Sequence, residues 1–137
     1  MPGNPGPNTM SVGIDVERVD RFRREMVSSS LFISRAFTKS EREYCMSKAD
    51  PCIHFAGIFA AKEAAYKAAS GLAKGKLSIM QFEVVHGRNG VPRIRYTGTE
   101  SEPKRIVIKI SVSHTTEEAA AVALALLPSV RPHPGHE

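Results

Sequence analysis

The chain has no tryptophan, only two cysteines and only 7% aromatic residues. A surface of stacking rings for nucleobases is therefore not expected. Cys45 and Cys52 lie close together without companion ligands, which leaves a disulfide scaffold or zinc ribbon unsupported and makes reduced thiols the default. No long hydrophobic run is present. The longest apolar stretch, residues 119 to 127, is far short of the roughly 20 residues that cross a bilayer. The N-terminus lacks a basic-then-apolar signal pattern, so no membrane partner and a cytoplasmic location are expected. Nor is there a Walker loop, a dinucleotide fingerprint, a nucleophile elbow or an internal repeat. The positive charge is modest, with 19 Lys and Arg against 14 Asp and Glu giving +5. Pairs such as Arg23-Arg24 are scattered rather than massed, so nucleic acid is not the expected partner, while phosphorylated cofactors and acidic proteins stay open.

What is present is the material of one compact domain: 137 residues, 42% hydrophobic and 24% charged. Residues 1–9 and 128–137 are rich in Pro and Gly and read as mobile tails around a domain at 10–127; His133 and His136 in the second tail are given no role. Residues 10 to 14 read as a short strand ending at Asp15. A helix follows in which Val19, Phe22 and Met26 recur every three or four positions, with Arg18, Arg21 and Arg24 on another face. That basic face either is simply solvated or meets an acidic partner. Thr38 and Glu41 have the spacing of a capping box, starting a helix that Asp50-Pro51 should end. Residues 54 to 70 form the most secure helix, Ala-rich with Phe55, Ile58, Phe59 and Tyr66 at helical intervals. A Lys-bearing loop with Gly71 and Gly75 leads to a hairpin of residues 77–85 and 91–97 around Arg88-Asn89-Gly90. The alternation of Ile106, Ile108, Ile110 and Val112 makes a strand that delivers His114 at its end. The run at 119–127 has helix-forming Ala and Leu, but its length and its place after a turn favour a buried strand.

Three places could carry chemistry. Asp15 either caps the following helix or joins Glu17 as an oxygen ligand for a hard cation such as Mg²⁺, and spacing alone favours the cap. Glu63 and Lys67, four apart, are ordinarily an exposed ion pair. The apolar residues around them, however, should draw this helix into the core and leave Glu63 partly buried, where an acid needs a partner. His114 lies among hydroxyl neighbours at a strand end, suited to donating to a phosphate or accepting a proton. Together these residues outline a phosphate-handling pocket.

The segments VGIDVERVDRF (12–22), FAGIFAAKEAAYKA (55–68) and ISVSHTTEEAAAVALA (110–125) resemble, in order and spacing, the three motifs of 4′-phosphopantetheinyl transferases, above all the short holo-acyl-carrier-protein synthase type. The resemblance implies transfer of phosphopantetheine from coenzyme A to a serine of an apo acyl carrier protein, releasing 3′,5′-adenosine bisphosphate, with Mg²⁺ required. It implies an α+β fold with a long helix on a small antiparallel sheet, and a homotrimer with active sites between subunits. By position, Asp15 and Glu63 would be metal ligands, with Glu17 a third. Lys67 and His114 would contact coenzyme A phosphates, with Lys62 and Gly71 beside them, and Glu63, or a metal-bound water it holds, could take the serine proton. Arg18, Arg21 and Arg24, with Arg35, would meet the acidic carrier.

The sequence departs from the short type in three places. The acid usually three positions after Asp15 is replaced by Arg18, and Glu17 precedes it, as in the longer surfactin-synthetase type. Ile58 stands where the short type often has an arginine associated with coenzyme A phosphate, leaving that contact missing or supplied elsewhere, by Arg42 or Lys39. The stretch 97–105 is short for the helix many relatives place there. The alternative implied is a catalytically weak member that binds coenzyme A or a carrier as a scaffold.

Overall fold

The computed structural model describes residues 9–28 and 30–128. Apart from Thr9 and Pro128, the two expected tails, with His133 and His136, lie outside the described residues. The architecture is α+β. Strand β1 (Met10–Arg18) leads into helix α1 (Val19–Ser28), then α2 (Ser30–Ala36), α3 (Lys39–Met46) and the long α4 (Pro51–Ser70). A 3₁₀ turn (Ile79–Gln81) opens the hairpin β2 (Phe82–His86) and β3 (Pro92–Tyr96), and a one-turn helix α5 (Ser101–Lys104) precedes β4 (Val107–His114) and β5 (Glu118–Leu126). β5 is the centre of an antiparallel sheet in the order β1-β5-β4, while β2 and β3 form their own ribbon.

Alternation sets the two faces of the main sheet. Ala119, Ala121, Ala123 and Ala125 of β5 are buried, and α4 brings its own alanines, Ala60, Ala61, Ala64 and Ala68, against that face. Small residues on both sides let the helix lie close. Gly13 of β1 completes this seat, because a Cβ there would run into the Ala64 carbonyl oxygen. The other end of α4 enters a phenylalanine cluster, where Phe37 meets Phe55 at 4.8 Å between ring centroids and Phe59 meets Phe22 at 5.7 Å. α4 is buried almost all round, which is why its sequence lacks a polar stripe.

Several boundaries differ from the expected ones. The first strand runs to Arg18 because β5 pairs with it along its whole length, Met10 with Leu126 through Arg18 with Glu118. Asp15 is therefore mid-strand and caps no helix, and Arg18 is the last residue of β1 and not part of a helical face. Thr38 does form the capping box with Glu41, its hydroxyl accepting from Glu41 N and its own N–H donating to Glu41 Oε1. Asp50-Pro51 does not end α3 but begins α4: the Asp50 carboxylate accepts from Cys52 N and Pro51 takes the first turn. In the hairpin the first strand is shortened to Phe82–His86 by the 3₁₀ turn, and Gly90 takes a positive φ of 78° at the bend. Residues 118–126 are a strand, as their position suggested.

Candidate functional site

The acids come first. On β1, residues 11, 13, 15 and 17 face α4, so the pleat aims both carboxylates at the helix. Glu63, Lys67 and Gly71 follow one another at four-residue spacing along the helix face that meets them. Lys67 Nζ donates to the Ile14 carbonyl at 3.0 Å and to Asp15 Oδ1 at 3.3 Å. Glu17 accepts from Arg21 at 3.0 Å, and Arg21 lies over the Phe32 and Phe59 rings at 4.9 and 5.1 Å. Gly71 ends α4 against Ser11, whose side chain a Cβ there would strike.

Electrostatically this cluster holds more negative charge than its own cations satisfy. Burial, and then the Asp15 carboxylate beside it, push Glu17 up to about 7. Glu63 is raised as well, by burial first and by Asp15 second, with Lys67 and Arg21 acting against the shift. Asp15 Oδ2 is buried and has no hydrogen-bond partner. An orphaned carboxylate oxygen between two carboxyls that resist ionisation fits a hard divalent cation. Among the described residues no group of three or more His, Cys, Asp or Glu side chains is placed to hold a metal ion. An ion held here would have to draw most of its ligands from water or substrate phosphate oxygens, as Mg²⁺ commonly does.

His114 is not part of this cluster. It shares a register row with Glu17, both opposite Ala119, so two strand spacings, about 10 Å, separate them. Between them lies α4, seated on the alanines of β5. His114 instead faces a pocket of about 180 Å³ with His54, Ile58 and Ala61 of α4, His86 of β2 and Tyr44 of α3. At about 100° per residue, Glu63 is turned some 140–160° away from Ile58 and Ala61. One chain thus holds the acids and the histidine on opposite flanks of the helix, and the single pocket outlined by the sequence is divided in two.

Lys62 and the basic face also need correction. Lys62 has no exposed surface and forms a 2.7 Å ion pair with Glu41 in the core, so it is not on the surface a nucleotide would touch in this chain. Arg21 pairs with Glu17 and lies over the phenylalanines while keeping 42% of its side chain exposed, and Arg18 and Arg24 are exposed as well. Arg42 is tied to the carbonyls of Ser34 and Phe37, and neither it nor the exposed Lys39 lines the pocket beside Ile58. The residues missed by sequence reasoning are Tyr44, His54 and His86. Tyr44 stacks on His86 at 3.7 Å and 11°, and His54 lies 5.9 Å from His114 between ring centroids. Their only signal was polar rings at helix and strand positions whose neighbours are apolar.

With this geometry in view, comparison with known proteins is decisive. The sequence profile of the 4′-phosphopantetheinyl transferase superfamily matches residues 11–125. The chain belongs to this superfamily. Among its relatives is the holo-[acyl-carrier-protein] synthase of Chlorobium limicola, 34% identical over 122 residues that cover 88% of this chain and 97% of that protein. A second is the fatty acid synthase alpha subunit pkiB of Emericella nidulans, 39% identical over 126 residues, which are 85% of this chain but 7% of that subunit. The fold is matched by the crystal structure of a holo-(acyl-carrier-protein) synthase from Bacillus anthracis in complex with coenzyme A (3′,5′-ADP), with TM-score 0.69, 29% identity, and coverage of 86% of this chain and 96% of that one. The matched stretch 11–125 includes both flanks of α4, with Asp15, Glu63 and Lys67 on one and His114 on the other.

Proposed function

We propose that the protein transfers the 4′-phosphopantetheine group of coenzyme A to a serine of an apo acyl carrier protein, releasing 3′,5′-adenosine bisphosphate, in cytoplasmic fatty-acid synthesis. The observation that carries this reading is the over-acidic cluster of Asp15, Glu17 and Glu63 beside Lys67, on a chain of this superfamily. Asp15 and Glu63 would hold Mg²⁺, with Glu17 joining them only if it leaves its 3.0 Å pair with Arg21. When bound, the ion neutralises charge on the bridging phosphates. The serine oxygen attacks the phosphorus that carries the pantetheine, and the bond from that phosphorus to the departing bisphosphate breaks. Glu63, whose proton affinity burial and then Asp15 raise, or a metal-bound water it holds, would take the serine proton. Lys67 and His114 stabilise charge on the phosphate oxygens.

His114 reaches those oxygens from a neighbouring copy, since α4 blocks the route within one chain. The surface for such an assembly is the outer face of the main sheet, where Val12 and Ile14 are each 63% exposed with Val16 and Val122 beside them. Its burial in a homotrimer removes an apolar patch that a lone chain leaves in water. Exposed Arg24, Arg18 and Arg35 meet the acidic carrier, chiefly speeding encounter. The test is the intact mass of an apo acyl carrier protein after incubation with this protein, coenzyme A and Mg²⁺. A gain of one phosphopantetheine, lost with EDTA, is the expected result. No gain on several carriers overturns the transferase and leaves a scaffold that binds coenzyme A or a carrier, the reading that Ile58 favours.

A further inference from the structure

We infer that His54 and His86, together with His114, form a protonatable anion subsite that takes the phosphorylated nucleotide end of coenzyme A, making nucleotide binding in this protein proton-coupled. This rests on the transferase reading above and adds to it how the pocket on the far flank of α4 carries its charge. Ile58, in the pocket wall, supplies none, and neither Arg42 nor Lys39 lines the pocket. What converges on the pocket is three imidazoles from three elements: His54 from α4, His86 from β2 and His114 from β4.

The other charged or titratable groups facing these rings are few. From α3 and the turn after it come Tyr44, stacked on His86, and Lys48, whose Nζ lies 4.6 Å from the centre of the Tyr44 ring. From the start of α4 comes Asp50, paired with Arg23 at 2.6 Å. The hairpin contributes Gly90 and Pro92, which carry no charge. Burial, then His114 and Lys48, hold His54 below the ordinary imidazole range; burial, then Lys48 and His54, do the same to His86. His54 and His86 are therefore biased towards the uncharged form, and crowding by like charge keeps them so. A phosphate entering among them reverses the balance: each imidazolium it stabilises is a proton taken up on binding. Affinity must then rise as pH falls, whereas an arginine at position 58 would give a contact indifferent to pH in this range.

The experiment is calorimetric titration of the full chain, in Mg²⁺ buffer, with 3′,5′-adenosine bisphosphate at pH 6 and pH 8, each in two buffers of different ionisation enthalpy. Binding is expected to tighten about tenfold or more towards pH 6, with net proton uptake. The His54→Gln/His86→Gln double variant is expected to bind more weakly at pH 6 and to lose most of the pH dependence, which separates the protein's protons from those of the ligand's own phosphates. The histidine ring resonances of the unsubstituted protein, with and without the bisphosphate, report the same titration should the double variant fail to fold. Equal affinity at the two pH values without proton uptake, or ring resonances that ignore the ligand, overturns the subsite. Phosphopantetheine transfer accompanied by a flat nucleotide titration overturns this inference alone, whereas absence of transfer to every carrier overturns the function beneath it.

Discussion

Lys62→Met distinguishes a structural lysine from a ligand-binding one. Lys62 Nζ donates to Glu41 Oε1 at 2.7 Å, and Glu41 also accepts from Thr38 N and Val84 N, each at 2.8 Å. Both side chains are fully buried, so methionine keeps the unbranched stem and leaves the carboxylate with backbone donors but no cation. Removing one partner of a buried pair costs about 3–5 kcal/mol, a large share of the roughly 5–15 kcal/mol that holds a domain folded. The midpoint of thermal unfolding should fall by about 10–15 °C. Adding Glu41→Gln removes the stranded charge while keeping an acceptor for Val84 N, so the double variant should lose less than the sum of the two single losses. Well below its unfolding midpoint, Lys62→Met should keep its KM for coenzyme A within about twofold, because Lys62 lies outside the reacting surface. A loss below about 1 kcal/mol, or a raised KM at unchanged stability, refutes the reasoning and returns Lys62 to the nucleotide contacts.

Gly13→Ala should destabilise the chain by about 1–3 kcal/mol in urea unfolding, because the added carbon meets backbone atoms of α4 that cannot rotate away. Arg24→Glu should raise the KM for the carrier and leave that for coenzyme A unchanged, with the difference shrinking at high salt; equal effects on both substrates would remove Arg24 from the docking surface. Cys45, which burial pushes up to about 12, should react with a thiol reagent only when the protein unfolds. Burial raises Glu83, but hydrogen bonding from Thr38 and then the Arg95 guanidinium, hydrogen-bonded to it at 2.6 Å, prevail and hold it below its ordinary value. Its ionisation therefore contributes stability above the unfolded value near 4.5, and that contribution is lost as pH falls through the lower folded value. The difference in unfolding midpoint between wild type and Glu83→Gln should be constant above pH 5 and shrink below about pH 4.

Features encoded within a few residues were legible in the sequence. The Thr38 and Glu41 box, the apolar spacing of α4 and the alternation that ends at His114 all lie inside one element, where period and capping chemistry suffice. Failures begin where the deciding partner is distant. Asp15 looked like a cap because nothing near it shows that β5, a hundred residues on, continues the strand to Arg18. Lys62 looked like a surface lysine beside Glu63 because its counter-ion, Glu41, belongs to another helix. The same holds for the site. The convergence of Asp15, Glu17, Glu63 and Lys67 follows from two local periods that meet. The histidine pocket needs three elements assembled, and no spacing rule brings His54 and His86 together with His114.

The placing of α4 between His114 and the acids has a genetic meaning. Where each site borrows its histidine from a neighbour, a chain with Glu63→Gln and a chain with His114→Ala are damaged in different halves and can repair each other. In trimers assembled at random from equal amounts of the two, about one site in four unites an intact acid cluster with an intact histidine. Two dead alleles expressed together should therefore yield a living enzyme, while either alone yields none.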